Sequence, residues 1–368
     1  MTEHTWDSAA ALRCHQGLPE GFLDATARDV HALLGGPTLI ELPGRRGPAL
    51  FVSVLQHGNE DTGLLAIQQV LRRFEQRGLP RELCLFVGNT AAAAEGLRHL
   101  DGQPDFNRIW PGGEDTTSPE AQMLAAVWDR MRRRGLFASI DVHNNTGINP
   151  HYGCVNRLDG RYLSLATLFS RTVVYFTRPA GVQSLAFAQL APAVTVECGR
   201  PGEPQGVARA SEFLEAALRL SSIPDQGPSP ADIDLYSTVA RVRVPEWQPF
   251  EVVADGEPVQ STATRRLPGQ REPVRLRPNI DAYNFRDLPA GTMLAHFHAA
   301  DTAEVPLLVE DESGHNVVDQ YFRLCDGELQ LSRPMMPSML TRDLRVIRQD
   351  CLCYLMERLD VRAIEGGT

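Results

Sequence analysis

From residue 38 to residue 220, short apolar runs alternate with longer stretches whose apolar positions recur at helical spacing. The pattern predicts strands over 49–55, 83–87 and 137–142, and helices over 64–75, 119–134 and 207–220. Strand followed by helix in this order specifies an α/β domain with a largely parallel sheet. The runs ALFVSVL from Ala49 and AVTV from Ala193 are apolar nearly throughout, as a strand must be when helices cover both of its faces. The helix at 119 has a definite start: Ser118 offers a side-chain acceptor to the first orphan amides, and Pro119 is preset for the opening turn.

Residues 222–229 read SIPDQGPS, a cluster of turn formers and helix breakers that ends this domain. The organisation expected is an α/β domain over 1–222 and a smaller β-rich domain over 230–340, with a terminal helix over 341–362. The β domain rests on the short alternating segments TVARVRV, VRLRP, MLAHFHA and PLLVED, separated by Gly and Pro and expected to pair antiparallel. The terminal helix rests on Leu344, Ile347, Leu352, Leu355 and Met356, which fall at near-helical spacing.

Composition narrows the partners. Hydrophobic residues make up 43% and charged residues 22% of the 368, an ordinary globular balance. The net charge of -10, with no basic block beyond Arg132–Arg134 at a predicted helix end, argues against nucleic acid. Residues 1–11 lack the basic start and apolar core of a leader, and no stretch approaches the roughly 20 apolar residues that span a bilayer, so no membrane partner and a cytoplasmic location are expected. Seven cysteines without a CxxC pair fit a reducing compartment.

Four segments carry chemistry. Gln56-His57-Gly58-Asn59-Glu60 follows an apolar strand and precedes a helix, and an imidazole and a carboxylate three apart can meet one ion over a helical turn. Asp141-Val142-His143-Asn144 runs from a strand into a polar loop, and strand ends of one sheet edge are where open α/β folds bind ligands. Asn107-Arg108 lies in a long loop and pairs an amide with a planar guanidinium, a combination suited to a carboxylate. Finally, the strand Thr195-Val196-Glu197 ends on a carboxylate, which burial would make costly unless it is paired, near a metal, or raised in pKa.

Together these segments resemble the succinylglutamate desuccinylase/aspartoacylase family of zinc hydrolases, which is related in fold to zinc carboxypeptidases. His57-Gly58-Asn59-Glu60 resembles its HGNE motif, Asp105-Phe106-Asn107-Arg108 its D-x-N-R, and Asp141-Val142-His143-Asn144 its DxHN. Val196-Glu197-Cys198-Gly199 through Pro204-Gln205-Gly206-Val207 is similar to its VE-x-G…PQGV stretch. The resemblance implies an α/β fold with a mostly parallel or mixed sheet flanked by helices. It implies one zinc ion held by His57, Glu60 and His143, with an open position for water. Glu197 would be the proton-transferring base, Arg98 the stabiliser of the developing oxyanion, and Asn107, Arg108 and Asn144 the substrate contacts. Asp141 would orient His143 from behind.

The implied reaction is amide hydrolysis of a small N-acyl amino acid or a related carboxylate-bearing amide, by a chain that can also form a homo-oligomer. A peptide-cleaving metallocarboxypeptidase and a non-catalytic metal-binding scaffold are the alternatives. The family arginine that reads an aspartate side chain aligns near Phe187, and no arginine lies between Arg178 and Glu197, which argues against N-acetylaspartate. Cys198 as a nucleophile is disfavoured because strand alternation turns it away from Glu197. His296 and His298 lack a third ligand and are left outside the site.

Overall fold

A computed structural model describes residues 12–257, 259, 272–297 and 304–361. The reading of residues 1–11 and that of His298 lie outside these. Two compact units divide the described chain, one built on residues up to Asn144 together with His151–Leu235, the other on Asn145–Pro150 and Tyr236–Leu359.

The first unit carries an eight-stranded path in the order β1-β2-β4-β3-β5-β8-β6-β7. Its strands are β1 (Arg13–Gln16), β2 (Thr38–Leu42), β3 (Ala49–Val54), β4 (Leu83–Val87), β5 (Leu136–His143), β6 (Tyr152–Val155), β7 (Thr172–Tyr175) and β8 (Ala193–Glu197). Between them run the helices α1 (Val30–Leu34), α2 (Thr62–Phe74), α3 (Thr90–Glu95), α4 (Pro119–Arg134), α5 (Gly160–Phe169), α6 (Gln183–Phe187) and α7 (Pro204–Arg219). The centre, β4-β3-β5-β8, is parallel, and β2 on β4 and β6 on β8 are antiparallel, so the sheet is mixed. Every residue of β2, β3, β4 and β8 is buried, which is why these strands are mostly apolar. Ser118 caps α4 by accepting from the Ala121 N–H at 3.2 Å. At the other end of α4, Arg134 pairs with Glu82 at 2.7 Å and reaches Glu41 at 3.3 Å.

In the second unit, β9 (Asp234–Arg243) pairs antiparallel with β13 (Leu308–Asp311) and with the last strand, β17 (Cys353–Arg358), which carries β16 (Met336–Ser338). A separate five-stranded sheet follows the order β10 (Phe250–Val252), β11 (Val274–Leu276), β12 (Met293–His296), β15 (Glu328–Leu331), β14 (Phe322–Cys325). Its pairings are antiparallel except β10 with β11, which departs from the all-antiparallel expectation.

The terminal helix expected over 341–362 is not a single helix. It is the short α9 (Leu344–Gln349) followed by β17; the unit's described residues also include the short α8 (Val318–Tyr321). A bulge between Leu355 and Met356 turns both residues inward, and two consecutive buried positions imitate helical spacing in the sequence. No helix among the described residues is long and apolar enough to cross a membrane.

Candidate metal centre

The parallel strands β3 and β5 lie side by side with Ser53 opposite Asp141, so both leave the sheet at the same edge. After β3 the chain bends through Leu55, at φ 55°, and His57 and Glu60 sit in a tight turn before α2 rather than on a helix. The Glu60 N–H donates to the His57 carbonyl at 3.2 Å to close that turn. Gly58 lets the turn lie against α3: a Cβ there would be 2.2 Å from the Ala93 nitrogen. From β5, His143 arrives at the last strand position, and Glu197 stands opposite it at the end of β8.

These elements bring one potential ligand atom from each of His57, Glu60 and His143 within 4.8 Å of one another. His57 Nδ1 is 2.8 Å from Glu60 Oε1, and His143 Nδ1 is 2.8 Å from Glu60 Oε2. Each ring meets a second carboxylate on its far side: His57 Nε2 is 3.0 Å from Asp105 Oδ1, and His143 Nε2 is 2.7 Å from Asp141 Oδ2. Carboxylates behind imidazoles fix ring orientation and keep the front nitrogens turned to one point. Asp141 is itself held by the Ser53 hydroxyl, which donates at 2.6 Å.

The electrostatics follow from burial. Burial alone would push the Glu60 carboxyl up, but His57 and His143 outweigh it and hold the group below the usual carboxylate range. Asp105 is likewise held well below its ordinary value, burial being overcome by Arg98 and then His57. For His143 burial pushes the imidazole down, while Asp141 and Glu60 carry it well above an ordinary histidine.

Glu60 and Asp141 are buried and Asp105 nearly so, with the buried Arg98 beside them. Two imidazoles and a carboxylate are a donor set that suits zinc. The residues thus fit the metal on the chemistry of the donor set.

The remaining expected residues divide. Arg98 lies at the cluster, paired with Asp105 Oδ2 at 3.0 Å and 3.7 Å from Glu60 Oε1. Asp105 also caps the turn that follows it, accepting from the Asn107 N–H at 2.8 Å, and so ties Arg98, His57 and Asn107 together. The Asn107 Nδ2 is 3.2 Å from His143 Nε2, and its Oδ1 accepts from the Gln183 N–H at 2.9 Å. Arg108 donates to the Asn107 carbonyl at 2.7 Å.

Asn144, expected to touch substrate, spends both ends of its side chain within the fold. Its Oδ1 takes the Thr62 N–H at 3.3 Å and its Nδ2 donates to the Gly199 carbonyl at 2.9 Å, while its own N–H donates to Glu60 at 3.0 Å. It is a brace for Glu60.

Phe187 lies in the core. It is fully buried, stacked on Phe51 at 4.4 Å and edge-on to Trp110 at 5.5 Å. Cys198 is buried, and burial first, then Glu197, pushes its thiol well above the ordinary value, so it offers no thiolate nucleophile. His296 is buried on β12, away from any three-ligand group found among the described residues. Sequence reasoning missed Asp105 as the partner of His57 and Gln183 as the partner of Asn107; neither contact has a signal in local spacing.

Residues 46–222 match the family model of the succinylglutamate desuccinylase/aspartoacylase catalytic domain. Among solved structures, the chain is similar to a succinylglutamate desuccinylase/aspartoacylase from Rhodobacter sphaeroides at 15% identity, with 88% of each chain covered and a TM-score of 0.56. It is similar to the succinylglutamate desuccinylase from Chromobacterium violaceum at 17% identity, over 88% of this chain and 89% of that one, with a TM-score of 0.52. Murine aminoacylase 3 aligns at 14% identity over 85% of this chain and 97% of that one, also with a TM-score of 0.52. At these identities the likeness is one of fold. No curated protein sequence matches the chain.

Proposed function

We propose, from the match of residues 46–222 to the catalytic-domain model of the succinylglutamate desuccinylase/aspartoacylase family of hydrolases, that the chain is a zinc-dependent deacylase of small N-acyl amino acids. The observation that carries the proposal is the buried His57–Glu60–His143 cluster, with its ligand atoms within 4.8 Å. These three side chains would hold one zinc ion, and three protein ligands are the number typical of catalytic rather than structural zinc. When bound there, zinc supplies Lewis acidity, making a water more acidic and polarising an amide carbonyl.

The chain's own residues supply the rest. Glu197, at the end of β8 beside His143, takes a proton from the attacking water and then delivers it to the leaving amine nitrogen. Arg98, clamped by Asp105, presents fixed positive charge where the amide oxygen gains negative charge. Arg108 and the Asn107 amide offer N–H donors to the substrate carboxylate. Asn144 positions Glu60 through its N–H and holds the turn after Glu197 through Gly199. With Phe187 locked in an aromatic stack, no arginine stands at that position to read a second carboxylate, which supports a substrate other than N-acetylaspartate.

The test is amine release from N-acetyl, N-formyl and N-succinyl amino acids and short peptides by zinc-loaded protein, with Glu197→Gln as control. Hydrolysis of one acyl class, abolished in the control, is the expected result. Cleavage of peptide C-termini alone would replace the proposal with a carboxypeptidase.

A further inference from the structure

Two contacts with α6 fix which face of the sheet carries the site. The Phe51 ring on β3 stacks on Phe187 of that helix at 4.4 Å, and the Ser139 hydroxyl on β5 accepts from the Gln183 Nε2 at 2.7 Å. Residues two apart along a strand share a face, so Ser53, Asp141 and His143 lie on the α6 side. The 2.6 Å bond between Ser53 and Asp141 runs along it. Glu197 is the register partner of His143, and Thr195 that of Asp141, so both stand on the same side.

Strand β6 extends the row. It pairs antiparallel with β8, with Tyr152 opposite Glu197 and Cys154 opposite Thr195. Gly153, between them, looks to the other face, where a Cβ would meet Ala166 of α5 at 3.2 Å. Tyr152 and Cys154 therefore share the face of Glu197. The Cys154 thiol agrees: burial first, then the charge of Glu197, pushes it well above its ordinary value. Directly opposed residues of an antiparallel pair have Cβ atoms about 4.5–5.5 Å apart. At the carboxyl edge of the sheet His143, Glu197 and Tyr152 thus follow one another across β5, β8 and β6, and all three are buried. The carboxylate has a metal-cluster histidine on one side and a phenol on the other.

A buried carboxylate is costly at each oxygen without a donor, and a buried phenol must place its O–H. A base that takes a proton from water on the His143 side needs one oxygen open there, so its fixed donor has to come from the opposite side. Tyr152 is the residue that the register puts there. Cys154, one pair further into the sheet, has only a thiol, a weak donor.

We infer that Tyr152 is a positioning residue for Glu197: its phenol O–H donates to the carboxylate oxygen turned away from His143 and holds the other oxygen toward the reacting water. The inference rests on the deacylase reading above, with Glu197 as its base.

Tyr152→Phe keeps the ring and removes only the O–H. Two readouts are taken: kcat, KM and zinc content on the best N-acyl amino acid of the panel, and the 13C resonance of the Tyr152 Cζ in zinc-loaded protein labelled at that carbon of tyrosine. The resonance is assigned by its loss in Tyr152→Phe and followed from wild type to Glu197→Gln.

In Tyr152→Phe kcat is expected to fall about 10- to 100-fold, with KM and zinc content within about twofold of wild type. The Tyr152 Cζ resonance is expected to move in Glu197→Gln, because its oxygen then meets an amide instead of a carboxylate. Unchanged kcat overturns the inference, as does loss of zinc. A raised KM with kcat kept also overturns it, by making the phenol a substrate contact, and so does a Cζ resonance that stays in place. If wild-type protein hydrolyses nothing in the panel, the deacylase reading fails alone and the Cζ resonance still decides whether the phenol meets Glu197. If Tyr152→Phe does not fold, the seven tyrosine Cζ resonances of wild type and Glu197→Gln decide: one displaced resonance sustains the inference and none overturns it.

Discussion

Asp105 stands behind His57, its Oδ1 3.0 Å from the ring Nε2, so that Nδ1 is the nitrogen turned to Glu60. Removing the charge while keeping the shape should loosen the ring and free Arg98 as well. Asp105→Asn is expected to weaken zinc binding about 10- to 100-fold, measured by competition with a chromogenic chelator. Unchanged affinity would mean that the turn alone orients His57.

Glu197 separates metal binding from proton transfer. Glu197→Gln keeps the side-chain shape and removes the base, so kcat should fall about 10²- to 10⁴-fold while zinc content stays at the wild-type level. The check is a pairing of steady-state kinetics with metal analysis on the same preparation. Loss of zinc in parallel with activity would make Glu197 part of the cluster instead.

Zinc uptake should depend on pH in a defined direction. In the metal-free protein His143 is carried well above the ordinary imidazole value, since Asp141 and Glu60 outweigh burial. A raised value means that the ring keeps its proton to higher pH, and zinc must displace it from Nδ1. Binding should therefore release protons and weaken as pH falls, by about tenfold per pH unit for each proton released. Calorimetry in buffers of different ionisation enthalpy measures that proton count, and a count of zero at pH 7 contradicts the account.

Glu41 predicts a stability effect remote from the cluster. Its carboxylate takes two bonds from Arg130, at 2.6 and 3.1 Å, and one from Arg134 at 3.3 Å, and these together with Gln16 hold its pKa below the usual value against the effect of burial. A folded pKa below the unfolded one stabilises the fold above the unfolded value and ceases to do so as pH falls through the folded one. Glu41→Gln should thus cost about 1–2 kcal/mol at neutral pH, and the deficit should narrow below about pH 4. Urea denaturation at both pH values reads it directly.

Restoring a family-like arginine at Phe187 should not broaden the substrate range. The position is enclosed by Phe51 and Trp110 and has no exposed surface. Phe187→Arg would bury an unpaired charge, so a sharp fall in melting temperature is expected, with no gain of activity on N-acetylaspartate. A stable variant that gains that activity would show Phe187 to line the substrate pocket.

What the sequence made legible is local. Helix α4 shows in its cap and its Pro119, and β3 and β8 show as mostly apolar runs because helices cover them. His57, Glu60, His143 and Glu197 show because each ends a strand or follows one closely. The contacts that hold them do not show. Asp105 lies 48 positions from His57 and Gln183 lies 76 from Asn107, and no periodicity links residues that meet only after the sheet is assembled. The partners of Asn144 do not show for a related reason: nothing local in a polar loop marks Thr62 and Gly199 as the groups its side chain meets. At the end of the chain the bulge at Leu355 and Met356 erased the alternation by which β17 would have been recognised.

The most direct test of the central claim is a zinc titration of metal-free protein, following hydrolysis of the best substrate from the acyl panel. Activity should rise from zero and level off at one equivalent of zinc per chain, and His143→Ala should stay inactive at that stoichiometry. Full activity in the metal-free protein, or unimpaired zinc-dependent activity in His143→Ala, would contradict a catalytic centre built on His57, Glu60 and His143.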